Sequence, residues 1–265
     1  MKAAVVAGDG VIAPMVASKF NEQGHRAVIA SPLTSSSTLT VNELAQTFTG
    51  AQIVVDVTDS SPYEDRTAWD FLYNRTGNLL AAAKVTGVSH VVTLSAIGTN
   101  RLPASSYFRA KARQEQLITE AGIAFSIVRA TPCYESLRRV ADFATDGDTL
   151  RISSALTQPI ASQDVATALA LTAFGEPVAG IREVAGPHQY SLDDLVRAYL
   201  RAHKDTRRVL TDPQARYLGA KLNERSLLPS RSATVFPTQF ADWLACNMST
   251  LAGRRFGARQ LAAQP

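Results

Sequence analysis

Two rhythms of hydrophobic and polar positions alternate along this chain. Short apolar runs closed by glycine or a turn read as strands buried on both faces: residues 3–7, 27–30, 52–57 ("QIVVDV"), 90–94 ("HVVTL") and 123–128. Between them, apolar positions recur at three- and four-residue spacing, as on one face of a helix. Val11, Ile12, Met15, Val16 and Phe20 mark a helix over 11–23 that stops at Gly24. The same pattern predicts helices over 41–48, 69–85 (closed by Gly87) and 107–121 (closed by Gly122). A polar stretch containing "TSSST" makes 31–40 a loop.

Strands alternating with helices imply βαβ units, a parallel sheet and right-handed crossovers. The fold class is therefore α/β: a Rossmann-type doubly wound parallel sheet with a small C-terminal substrate-capping region. The rhythm weakens after Pro132. A short strand is expected at 150–152, a helix near 164–174 and a strand at 181–185. A helix over 191–202 opens on Ser191, with Asp194 three residues on, close to a capping box. Residues 205–265 read as irregular apart from a helix near 238–244. The expected organisation is one domain over 1–245, capped by 132–147 and by segments after 159, with a tail at 246–265.

Composition narrows the class. With 265 residues, 46% hydrophobic and 19% charged, this is an ordinary globular chain. The apolar runs fall short of the ~20 residues a membrane span needs, and no secretory leader is evident. Cys133 and Cys246 are too few for a disulfide framework, which makes a reduced, cytoplasmic setting the expectation. The net charge of +4 is scattered, with only Arg138-Arg139, Arg207-Arg208 and Arg254-Arg255 adjacent, so no nucleic-acid partner is expected. His25, His90, His188 and His203 show no ligand spacing, so no metal is expected. Cys133 reads as a small buried hydrophobe. Trp69, Phe71, Leu72 and Tyr73 read as core or as a subunit contact, which leaves a homodimer open.

Candidate chemistry begins at "AGDGVIAP", between the first strand and the first helix. A dinucleotide turn wants three small positions. Gly8, Gly10 and Ala13 fit G-x-G-x-x-A; Ala7, Gly10 and Ala13 fit the wider spacing with two alanines. Gly8, Asp9, Gly10, Val11 and Ile12 are thus the candidate phosphate cradle. Asp9 either caps the helix N–H groups and repels a pyrophosphate, or points to solvent and leaves the backbone free. The second strand ends in Ala30-Ser31-Pro32, without the carboxylate that binds the ribose of NAD. Hydroxyls at Ser31, Ser35, Ser36 and Ser37 suit a 2′-phosphate, so NADP(H) is expected over NAD(H).

A second constellation follows. Ser95 closes the fourth strand, and Tyr107 and Lys111 share a helix face four residues apart. An ammonium beside a phenol lowers its pKa from ~10 and fits it for proton transfer to a carbonyl oxygen. Ser95 would hold the same oxygen. With "HVVTLSAIGTNRLPASSYFRAKARQEQLI", "AFSIVRATPCYE" and "QPIASQDVATALA", the chain resembles the atypical short-chain dehydrogenases/reductases of the NmrA-like NAD(P)-binding group, over nearly its whole length. The turn departs from that group, which usually shows three glycines and a Thr or Ser where Asp9 stands.

The resemblance implies that Ser95, Tyr107 and Lys111 are catalytic and that Lys111 also holds the nicotinamide ribose. It implies that Thr58 and Asp59 lie along the adenine and ribose, Thr131 flanks the nicotinamide, and Tyr134 begins the substrate side. The expected function is hydride transfer from NAD(P)H to a quinone or conjugated ketone, with a small-molecule substrate as partner. The alternatives are a nucleotide sensor without turnover, or a non-redox enzyme with a degenerate cofactor loop.

Overall fold

The computed structural model describes residues 1–8, 10–31, 38–59 and 67–249, the side chains of 67–71 excepted. Asp9, Ser35 with its neighbours Ser36 and Ser37, the side chains of Trp69 and Phe71, and the tail from 250 onward lie outside the described residues.

Seven parallel strands form the central sheet: β1 (Lys2–Val6), β2 (Arg26–Ala30), β3 (Ile53–Asp56), β4 (His90–Ala96), β5 (Phe125–Ala130), β9 (Ile181–Ala185) and β14 (Thr234–Val235). Their order is β14-β9-β5-β4-β3-β1-β2. The winding direction reverses between β1 and β3, so a crevice opens at the carboxyl ends of those strands, where α/β sheets bind ligands.

The pleat sorts each strand between two helical layers. Ala3, Val5, Val55, Val92 and Val128 pack against α1 (Ile12–Glu22) and α6 (Ser162–Phe174). Ala4, Val6, Val54, Val91 and Ile127 face the opposite layer, α2 (Val41–Phe48), α3 (Thr67–Thr86) and α4 (Ser106–Glu120). Thr40 and Glu43 make a reciprocal capping box on α2. At α7 (Leu192–Ala202) the expected box does not form. Ser191 donates its hydroxyl to Asp194 at 2.9 Å and leaves the backbone uncapped.

The region after Pro132 holds more regular structure than its sequence suggests. A 3-10 turn (Tyr134–Ser136), α5 (Leu137–Phe143), α7 and a helix over 240–249 surround a third core. Small strands stitch it together. β6 (Thr145–Asp146) and β11 (Arg208–Thr211) flank β7 (Thr149–Ile152), β8 (Leu156–Thr157) pairs β10 (Tyr190–Ser191), and β12 (Arg216–Tyr217) pairs β13 (Ala220–Lys221). The chain leaves the main sheet after β9 and returns as β14 on the outer edge of the same strand, Thr234 beside Val184. Gly186 sits where this exit passes the loop before α6; a Cβ there would collide with the Pro159 carbonyl. Among the described residues no helix is long and apolar enough to cross a membrane.

Candidate active site

Strand β4 and helix α4 carry the Ser, Tyr and Lys of the sequence motif. Ser105 caps α4, accepting from Phe108 N at 3.4 Å, which fixes Tyr107 in the first helical turn. The buried face of α4 includes Tyr107, Lys111, Gln114 and Glu115, a polar stripe where an apolar one is usual. Such groups must be satisfied internally, and they are, by two separate networks.

One network lies between α4 and the sheet. Ser95 shares the pleat face of Val91, and it pairs across the ladder with Arg129. Glu115 lies against that face. It accepts from Arg129 Nε at 2.8 Å and Nη2 at 2.6 Å, a bidentate pair with both side chains 10% exposed. Ser95 Oγ donates to Glu115 Oε1 at 2.6 Å. The hydroxyl proton of Ser95 is thus given to a carboxylate, which leaves it none to give to a substrate oxygen. Ser95 also lines the cleft that holds Tyr107 and Lys111, so to anchor a substrate oxygen it would have to turn from Glu115.

The other network opens on a cleft of about 170 Å³ at the sheet's switch point. One end is lined by Ile12, Thr58, Asp59 and Lys111, the other by Ser136, Arg139, Val140, Tyr217, Leu218 and Leu227, with Leu94, Ser95, Ala96, Tyr107, Phe108 and Ala130 between. Arg101 holds the 225–228 segment over the cleft by donating to the Arg225 and Leu228 carbonyls at 3.1 and 2.6 Å. Ser105 donates to the Leu218 carbonyl.

The spacing of Tyr107 and Lys111 predicts a lowered phenol; the structure gives the reverse. Lys111, 2% exposed, turns to the Thr58 carbonyl at 3.1 Å, the Asp59 carboxylate, the Leu94 carbonyl and Gln114 Oε1, each at 3.3 Å. Its three protons are directed to protein oxygens and away from the phenol. Tyr107 instead donates to Asp59 Oδ2 at 3.5 Å. Burial pushes the phenol well above its ordinary value, and the Asp59 charge pushes the same way. Tyr107 is therefore a protonated donor at neutral pH.

Asp59 reaches this position because the loop after β3 is tied down. Asp56 accepts from Thr58 N at 2.9 Å, Thr58 Oγ1 at 2.7 Å and Gln114 Nε2 at 2.9 Å. Burial holds the Asp56 carboxyl above its usual range despite these bonds. The β1–α1 turn packs on the same loop, since a Cβ on Gly8 would stand 3.7 Å from Asp59 N.

Above this loop, α1 begins with no side-chain cap on Val11 and no acidic residue in its first turn. Gly10 is exposed, with open space around it. Ser31 is exposed at the end of β2. A helix start with no side-chain cap among the described residues, beside a cleft that passes Thr58 and Asp59 to reach Tyr107, fits a dinucleotide whose phosphates meet α1 and whose reactive ring lies near the phenol.

Two further residues fall differently from expectation or stay silent. Tyr134 is fully buried and does not line the cleft. Its hydroxyl donates to the Thr238 carbonyl at 3.1 Å, and its ring packs on Phe240 and Trp243. It anchors the 240–249 helix and does not begin the substrate side. Thr131 lines the cleft, with a buried Oγ1 lacking a partner. Cys133 also lines it, but burial pushes its thiol up to about 12, which rules out a thiolate. Of the aromatic cluster on α3, Leu72 is core, while Tyr73 is exposed beneath the Arg113 guanidinium.

Sequence reasoning missed Asp56, Gln114, Glu115, Arg129, Arg139 and Tyr217. Gln114 and Glu115 were within reach of it, three and four residues beyond Lys111 on one helix face. Arg139 and Tyr217 come from segments whose placement no local pattern encodes.

Comparison with known proteins places the chain in a nucleotide-binding family. The profile of the NAD(P)H-binding family matches residues 12–176, starting just past the glycine turn. A curated relative, the chloroplastic divinyl chlorophyllide a 8-vinyl-reductase of Cucumis sativus, is 31% identical over 130 residues, which cover 45% of this chain. The chain spans only 31% of that relative's length. Among solved structures, a dTDP-glucose 4,6-dehydratase from Streptomyces venezuelae with NAD bound superposes with TM-score 0.73 at 16% identity, covering 96% of this chain and 98% of that one. A UDP-glucose 4-epimerase of Thermus thermophilus with NAD gives 0.67 at 16% identity, covering 86% and 92%. An NADPH-dependent quinone oxidoreductase of Escherichia coli gives 0.63 at 14% identity, covering 92% and 98%. At these identities the structural likeness speaks for the fold alone.

Proposed function

Since the chain belongs to the NAD(P)H-binding family, we propose that it is a reductase that delivers hydride from NADPH to a quinone or conjugated ketone. The observation that carries this reading is a protonated phenol, Tyr107, in a largely apolar cleft at the switch point of the sheet. A bound reduced nicotinamide supplies the hydride. The chain's own residues supply the rest. Val11, Gly10 and the start of α1 receive the phosphates, and Thr58, Asp59 and Lys111 border the ribose. Leu94, Phe108 and Leu227 keep water from the reacting face. Tyr107 gives its proton to the carbonyl oxygen as negative charge grows there. A quinone product is a stabilised hydroquinone anion, so it depends on that proton less than a ketone does.

NADPH is preferred because β2 ends in Ala30 and an exposed Ser31, with no carboxylate to repel a 2′-phosphate. The names of a vinyl-reductase relative and a quinone oxidoreductase neighbour support a reductase. The test is a fluorescence titration with NADPH and NADH, followed by nucleotide oxidation with a panel of quinones and enones. Binding of NADPH with turnover of at least one class is expected. No binding at millimolar nucleotide sinks the proposal.

A second reading, a nucleotide sensor without turnover, is favoured by one observation: Ser95, though it lines the cleft with Tyr107 and Lys111, gives its hydroxyl proton to Glu115. Binding without oxidation across the panel is its signature.

A further inference from the structure

The cleft contains a carboxylate that the serine-tyrosine-lysine motif does not call for. Asp59 stands between the other two working groups, with Oδ2 3.5 Å from the Tyr107 hydroxyl and Oδ1 3.3 Å from Lys111 Nζ. Its side chain is 55% exposed, whereas Lys111's is 3%. Asp59 is therefore the member of the trio with ready access to water. Tyr107 itself is buried, and after giving up its proton it needs a route by which to regain one.

We propose that Asp59 is the positioning and proton-return residue of this site: it holds the Tyr107 hydroxyl toward the cleft and passes it a solvent proton after each turnover. The inference rests on the reductase reading above. The step balances as follows. The substrate carbon gains hydride from the reduced nicotinamide, and the carbonyl π pair moves onto oxygen. That oxygen takes the Tyr107 proton and leaves a phenolate. A solvent proton caught by the Asp59 carboxylate passes to the phenolate and restores both groups. Each cycle consumes one reduced nucleotide and one proton.

The groups that face Tyr107 are Asp59 from the β3–α3 loop, Tyr217 from β12 and Cys133 after β5; Lys111, on its own helix, acts on it through Asp59. Burial first, and then the Asp59 charge, keep the phenol protonated and ready to act as a donor when substrate binds.

Asp59→Asn and Asp59→Glu test this, with Tyr107→Phe as the reference. The first readout is tyrosinate absorbance of the nucleotide-free protein, with the Tyr107→Phe titration subtracted to isolate this phenol. In Asp59→Asn the midpoint should fall by about one to three pH units, since a like charge is removed and Lys111 is released toward the ring. The second readout is turnover. Ketone reduction at neutral pH should drop by roughly tenfold or more, with a larger solvent isotope effect and an altered pH profile. Asp59→Glu should recover most of both. The third is NADPH affinity, measured so that turnover is compared at saturating nucleotide, because Asp59 also borders the ribose.

An unmoved midpoint with unchanged turnover in Asp59→Asn overturns the proposal while leaving the reductase reading intact. So does tighter NADPH binding with faster turnover, which would make Asp59 an obstacle to the nucleotide. Wild-type protein that neither binds nor oxidises NADPH overturns both.

Discussion

Helix α4 serves two polar networks, and they differ in nearly every physical respect. Behind it, Ser95, Glu115 and Arg129 are joined by bonds of 2.6–2.8 Å, and both members of the ion pair are 10% exposed. At its start, Tyr107, Asp59 and Lys111 meet at 3.3–3.5 Å, and Asp59 is more than half exposed. The first network is short, dry and closed. The second is longer and open to water and to a cleft. Short bonds between buried ions hold a fold in register, whereas contacts in an empty catalytic site are often long and tighten only when substrate binds. The motif that links Ser95 with Tyr107 and Lys111 in sequence joins residues that share the cleft lining, but Ser95 spends its proton on the closed network.

The sharpest way to break the comparison is Tyr107→Phe. If the open network is chemical, ketone reduction should fall by about 10²–10⁴-fold while NADPH still binds. Steady-state kinetics beside a nucleotide titration checks it, and unaltered ketone turnover would remove Tyr107 from the chemistry. Next comes Glu115→Ala. It leaves Arg129 buried without its partner and should destabilise the fold by about 3–5 kcal/mol, read by urea denaturation. A loss below 1 kcal/mol would mean the closed network carries no structural weight.

Ser95→Ala separates the two networks most directly. Loss of one hydrogen bond to a carboxylate should cost about 1–2 kcal/mol of stability and leave kcat within a few-fold. A drop of orders of magnitude in kcat would return Ser95 to the open network.

The smallest effects concern pH. Because the folded pKa of Tyr107 is raised, the folded state holds that proton more tightly than the unfolded chain does. Stability should therefore decline as pH rises past the ordinary phenol value of ~10, and Tyr107→Phe should flatten the decline. His90 works in the opposite direction. It is buried, and burial lowers its pKa. Its Nε2 lies 2.9 Å from Ser126 Oγ, which already accepts from Val178 N and so can donate its own proton to a neutral ring. The unfolded chain protonates His90 first, so stability should fall as pH drops below about 6.5. Urea midpoints at several pH values, for wild type and His90→Asn, test this.

The layered half of the fold was legible because its signal is local. Apolar runs of four to six residues and glycine stops placed β1 to β5 and α1 to α4 within a few residues of where they lie. In the cap, β7 and α7 were legible, but the remaining strands were not, because they are two to four residues long and pair across distant stretches, as Arg208 does with Thr149. Within the site, Tyr107 and Lys111 were legible from spacing. The bond from Ser95 to Glu115 was not legible, because motif spacing ignores the pleat: period-two alternation in "HVVTLSA" puts Ser95 on the face of Val91, toward α4, while the strand end still brings it to the cleft. The phenol's protonation could not be read either, since Asp59 arrives from a different loop.

The cap between β9 and β14 begins and ends on neighbouring strands. Parallel neighbours lie roughly 5 Å apart, so the excursion is a closed detour from the sheet's edge, and its two ends meet almost where they part. The detour is also tied to the chain before α6, since β10 pairs β8 and β11 pairs β7. A cap from another member of the family could be spliced in after Ala185 and rejoined at Thr234 if residues 134–157 were exchanged with it, and the seven-strand sheet would keep its pairing. The nucleotide half would stay in place and the far wall of the cleft, with Tyr217 and Leu227, would change, which offers a practical route to new substrate preferences on an unaltered reaction centre.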